Sequence, residues 1–175
     1  GIGRDEAESL YSKQAKSEDD SLIVYLDALT SSNSSNLGVV SDDNAYLIIG
    51  NNKGKLRSTA TANTEIPTGI TSRFERIWKV SNTNFNDSYS LKIEWDSVGM
   101  FDINDIRVLV DNDDNFDNAT IFGPDNGLTF GEGSAIIISG INKAHIPANS
   151  TRFFTIASAE LRTPLPIELI NFEAT

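Results

Sequence analysis

Residues 110–117 read Val-Asp-Asn-Asp-Asp-Asn-Phe-Asp, so Asp111, Asp113, Asn115 and Asp117 recur at every second position after an apolar run. Oxygen side chains at that spacing in a tight loop can converge on one point. A hard cation such as calcium takes about six to eight oxygens at short range. The opening matches the Asp-x-Asp-x-Asn start of a calcium loop. It then departs from the EF-hand: Phe116 stands where the turn glycine belongs, and Phe122 where the bidentate glutamate belongs. An EF-hand is therefore excluded. Two readings stay open. One is a different calcium loop held by Asp111, Asp113, Asn115 and Asp117; the other is an acidic turn whose side chains cap their own backbone. Repulsion among clustered carboxylates motivates the first, while solvent and neighbouring Lys or Arg relieve it in the second. A weaker candidate, Ser41-Asp42-Asp43-Asn44, reads as a plain turn.

Other chemistry is sparse. Cysteine is absent, which removes disulfides, thiolate metal sites and a cysteine nucleophile. The one histidine, His145, sits in Lys-Ala-His-Ile-Pro and reads as a surface or partly packed loop residue. No Gly-x-Ser-x-Gly elbow presents a nucleophile. Gly1-Ile2-Gly3 follows no strand and lacks a third glycine, so it is no dinucleotide fingerprint. Carboxylates abound, yet no spacing singles out a glycosidase pair. Trp78 and Trp95 fall on the apolar faces of predicted strands, which suits core packing better than sugar stacking.

The 25 acidic against 14 basic side chains give a net charge of −11. That charge repels phosphate backbones and anionic headgroups, so nucleic acid is not an expected partner. No apolar run approaches the roughly 18–20 residues of a membrane helix, and no membrane insertion is expected. The chain opens without methionine or a signal-peptide pattern, as a processed product or a segment of something longer does.

The elements that must carry these residues are short and alternating. Tyr89, Leu91, Ile93 and Trp95 share one face, with Ser90, Lys92 and Glu94 on the other. Phe74, Trp78 and Val80 share a face in the same way, with Arg76 as the polar exception. Apolar, β-rich runs at 21–26, 46–49, 106–110, 135–138 and 153–157 suit strands buried on both sides. Turn signals separate them: Ser/Asn only at 31–36, Gly-Asn-Asn-Lys-Gly at 50–54, Asp/Asn at 111–118, and Pro-Asp-Asn-Gly at 124–127, a hairpin signal. The stretch 5–17 reads as a loop or one helical turn. The pattern predicts an all-β, antiparallel β-sandwich, Ig-like or jelly-roll-like, of about eight to ten strands. It occupies 1–162. A Pro-x-Pro break and a terminal strand follow over 163–175, either an edge strand here or the start of a following module.

In order along the chain, Gly1-Ile2-Gly3-Arg4-Asp5, Ser12-Lys13-Gln14-Ala15-Lys16-Ser17, Leu47-Ile48-Ile49-Gly50-Asn51-Asn52, Arg76-Ile77-Trp78-Lys79-Val80 and Val108-Leu109-Val110-Asp111-Asn112-Asp113 resemble an uncharacterised β-rich module of large secreted proteins of Bacteroidota. The ending Leu165-Pro166-Ile167-Glu168-Leu169-Ile170-Asn171-Phe172 resembles the junction before a fibronectin-like or sorting domain of the type IX secretion pathway. The resemblance implies an extracellular, cell-surface or filament-forming context and carries no activity with it. Asp114 stands where members often have glycine. In that context Asp20-Ser21-Leu22 and Asp96-Ser97-Val98 match an O-glycosylation triplet, with Ser21 and Ser97 as acceptors.

The expected function is a non-catalytic structural or adhesive module, with calcium as the cofactor of the acidic loop. Its partners are other copies or neighbouring modules, met through strand edges. A carbohydrate-binding module, with glycans as partner, is the alternative from another class; a hydrolase would need a carboxylate pair in a cleft.

Overall fold

A computed structural model describes residues 1–19, 21–59, 62–94, 103–131 and 135–159. These form two packed antiparallel sheets. In chain order the strands are β1 (Ile2–Asp5), β2 (Leu10–Ser12), β3 (Gln14–Lys16), β4 (Leu22–Tyr25), β5 (Ala45–Asn51), β6 (Ser72–Arg73), β7 (Trp78–Thr83), β8 (Tyr89–Glu94), β9 (Ile106–Asp111), β10 (Thr120–Phe122), β11 (Thr129–Gly131), β12 (Ala135–Ile141) and β13 (Ser150–Ser158). The larger sheet runs β10-β9-β13-β7-β5-β1-β2, with β6 also on β13; the smaller runs β11-β12-β8-β4-β3. The protein is an all-β sandwich, as the sequence pattern predicts.

The strand number exceeds the expected eight to ten. Five of the thirteen are only two or three residues long (β2, β3, β6, β10 and β11) and leave too little alternation to read. Two local expectations also change. The stretch 5–17 is no helical turn: it closes β1 onto β2 and passes through Lys13 into the other sheet as β3. Its Glu-Ala-Glu helix formers become a hairpin turn, because Asp43 and Asp5 carboxylates accept the Glu6 and Glu8 amides and Ser9 adopts a left-handed φ of 55°. The Pro124 turn ends on Gly127 at φ 83°, as turn chemistry requires. It joins β10 to β11 across the two sheets and is not a hairpin.

The core lies between the sheets. Trp78, Val80 and Phe74 from one side meet Tyr89, Leu91 and Ile93 from the other, all buried. Trp78 stacks on Phe154 with ring centroids 5.2 Å apart. A second apolar layer covers the outer face of the larger sheet, where Leu109 and Ala157 lie under Phe116 and Ile70. There the buried Arg73 guanidinium sits 5.0 Å from the Phe116 ring and pairs with Glu65 at 2.7 Å. That layer explains why β9 and β13 read as apolar on both faces. β5 does not share it: Ile48 is exposed.

Candidate functional site

Alternation decides where the acidic loop begins. In β9, Ile106, Val108 and Val110 enter the core, so Leu109 and Asp111 face outward. Asp111 pairs with Phe153 of β13, Phe153 with Lys79 of β7, and Lys79 with Gly50 of β5. The four form one outer row across the sheet, and the loop after Asp111 folds back over it. Phe116 is its buried anchor.

Within the loop the carboxylates and amide cap their own backbone. Asp113 Oδ1 accepts the Asn115 amide at 3.0 Å, and Asn115 Oδ1 accepts the Asp117 amide at 3.1 Å. Asp111 Oδ1 accepts the Asn112 amide at 2.6 Å. Asp111 is 9% exposed, and its Oδ2 is buried without a partner among the described residues. The loop therefore brings Asp111, Asp113, Asn115 and Asp117 into one segment, in which the first three side chains cap backbone amides and Asp117 donates its own amide to Asn115. Among the described residues no group of three or more His, Cys, Asp or Glu is gathered as a metal-ligand cluster. Two grooves adjoin the loop. One, of about 500 Å³, is lined by Asp111, Asn112, Asn118, Thr120, His145 and Arg152 among others. The other, of about 310 Å³, has Phe153, Ile77, Lys79, Gly50 and Asp114 in its walls, with the Lys79 ammonium 5.6 Å from the Phe153 ring centre.

His145 is buried, where the sequence suggested a surface or partly packed position. Its Nδ1 accepts the Asn142 amide at 3.2 Å, which places the ring proton on Nε2, 3.1 Å from the Asn126 carbonyl. Phe122 meets the ring edge-on at 4.9 Å. Nδ1 thus closes the ring's own loop, and Nε2 ties that loop to the turn at Asn126.

Ser21 is 6% exposed. Its hydroxyl donates to Asp19 Oδ1 at 2.7 Å and accepts from the Arg76 guanidinium at 2.9 Å. Ser17 also donates to Asp19, and Arg76 reaches Asp19 Oδ2 at 2.5 Å. Burial works against ionisation of Asp19, but the hydrogen bonds from Ser17, Ser21 and Arg76 outweigh it and hold the carboxyl far below the usual range. A glycan on Ser21 requires this cluster to be open. Ser97, Trp95 and the 163–175 junction lie outside the described residues. The Ser41–Asn44 segment is a capped turn: Asp87 accepts the Ser41 amide, and Asp42 accepts from Asn86. Similarly, the Tyr46 hydroxyl donates to Asp5, which lowers the Asp5 carboxyl and raises the phenol to about 12.

Sequence reasoning missed the feature with the most exposed apolar surface. Five of the six exposed large apolar side chains among the described residues are Leu10, Tyr11, Leu29, Leu37 and Val39. Leu10 and Tyr11 belong to β2, the edge of the larger sheet. Leu-Gly-Val-Val at 37–40 follows a Ser/Asn run, and its brevity hid it.

Fold and geometry define a β-sandwich domain whose polar clusters brace loops. By sequence the chain belongs to the family described as a domain of unknown function (DUF8202), which it matches over residues 1–139. No curated protein and no solved structure matches it.

Proposed function

We propose that the chain is a non-catalytic structural or adhesive module of a secreted bacterial cell-surface or filament protein, joined to its neighbours through sheet edges. The supporting observation is the concentration of exposed apolar side chains at one edge, around β2 and residues 29–39, on a protein of net charge −11. Monomeric surfaces rarely keep such a patch without a partner. Residues 166–172, which the sequence reads as a strand beyond a Pro-x-Pro break, are the proposed joining element: Ile167, Leu169, Ile170 and Phe172 supply apolar side chains, and such a strand adds to an open sheet edge. Deleting residues 166–175 is expected to abolish assembly while the melting temperature of the sandwich stays the same. Assembly that survives the deletion contradicts the reading.

Calcium belongs to the proposal at the acidic loop. The unpartnered Asp111 Oδ2 supports it, since a bound cation offsets the cost of burying that oxygen. Calorimetry on the protein stripped with a chelator is expected to show binding that Asp111→Asn removes. Absence of heat and of any melting shift ends the calcium reading.

The groove over Phe153 favours a second reading, saccharide capture. A half-buried ring lies beside Gly50, where a Cβ would meet nothing within 4 Å, and Lys79 and Asp114 supply polar walls. Glycan-array binding lost in Phe153→Ala would support it over the structural role.

A further inference from the structure

We infer that the exposed segment 37–40, which lies outside both sheets, is a docking edge for residues 166–172 of a second copy of this chain. The inference rests on the strand-joining reading above and names the edge it uses.

The segment is fixed to the sandwich from one side only. Asn36 is fully buried; its side-chain amide donates to the Leu26 and Ala28 carbonyls at 2.8 and 3.0 Å. Asn36 Oδ1 accepts the Gly38 amide at 2.8 Å. Gly38 lies so close to Leu26 that a Cβ would meet the Leu26 Cβ at 2.3 Å. The Val40 amide donates to the Tyr11 hydroxyl at 3.2 Å, and the Val40 carbonyl accepts from Arg4. The inward groups of residues 38 and 40 are thus held.

Leu37 and Val39 are not tied to the sandwich in this way: neither the amide nor the carbonyl of either residue has a partner among the described residues. Their side chains are 82% and 60% exposed. Residues 37–40 belong to neither sheet, and unpaired backbone beside bulky exposed aliphatic residues can template an added strand unless charge, proline or a covering segment blunts it.

The occupant follows from charge and pattern. Beside this edge the Tyr11 ring carries two cations, Arg4 at 5.9 Å and Lys13 at 5.5 Å. Arg4 is paired with Glu6; Lys13 donates to the Asn36 carbonyl and has no carboxylate partner among the described residues. From Pro164 to Thr175 the chain has Glu168 and Glu173 and no Lys or Arg. Ile167 and Leu169 fall on one face of an extended strand, suited to lie against Leu37 and Val39. Glu6 and Asp43 offset Arg4, so Lys13 is the cation beside Asn36 that is left to meet Glu168 of the incoming strand.

Sedimentation of the full chain over a wide concentration range tests the edge, with a synthetic peptide of residues 164–175 as competitor. The expected result is concentration-dependent association that excess peptide disperses. The double variant Leu37→Asp, Val39→Asp is expected to remain monomeric with its circular dichroism unchanged, while Ile48→Asp, exposed on β5, associates like the parent. Association that persists in the double variant but yields to peptide overturns this edge and leaves strand joining standing. Association indifferent to peptide, or a monomer at every concentration, overturns both.

Discussion

Asp19 shows what the polar residues of this protein do. Its carboxylate ties the β3–β4 turn to Arg76, just before β7, so it clips the two sheets together. Because its folded value lies below the ordinary one near 3.9, the stability it contributes is complete above about pH 4 and is lost as the pH falls. Asp19→Asn is therefore expected to lower the melting temperature at pH 7 and to leave a shallower loss between about pH 4 and pH 2. Equal slopes in parent and variant would show that other carboxylates set the acid limb. His145 follows the same logic from the opposite expectation. It looked like a surface residue because Lys-Ala-His-Ile-Pro reads as an exposed loop, yet the ring closes that loop onto the Asn126 carbonyl. A carbonyl nineteen residues distant leaves no local mark in a sequence.

At the scale of elements, the longer strands were legible and the short ones were not. Tyr89, Leu91 and Ile93 announce β8 because the positions between them are the polar Ser90, Lys92 and Glu94. β2 and β3 are three residues each and follow helix-forming residues, so local propensity pointed elsewhere and pairing with β1 and β4 decided. The acidic loop was legible as a turn; Asp111, Asp113 and Asn115 cap the amides of Asn112, Asn115 and Asp117. Gly38 tests how tightly the exposed segment is seated. Gly38→Ala drives a methyl into Leu26 and is expected to cost about 1–3 kcal/mol, several degrees of melting temperature. Gly50→Ala enters open space and is expected to change stability by less than about 1 kcal/mol. Equal effects at the two positions would mean that Gly38 is not packed on Leu26.

On the scale of the whole molecule, the family match and the folding unit differ in extent. The match ends at Ser139, inside β12, yet β13 lies beyond it and pairs with β7, β9 and β6 near the middle of the larger sheet. Without β13, Trp78 loses the stacked Phe154, and the core between the sheets opens. A chain ending at Ser139 is expected to lack a cooperative thermal transition; a sharp transition near the parent's would show that β13 is dispensable. The charge of −11 predicts a melting temperature that rises with added salt as self-repulsion is screened.

The proposed role places the joining of copies at the exposed segment 37–40. Hydrogen exchange at the Leu37 and Val39 amides, with and without a saturating peptide of residues 164–175, addresses that claim most directly. Exchange slowed at least tenfold at these two amides is the predicted outcome. Exchange that the bound peptide leaves unchanged there contradicts it.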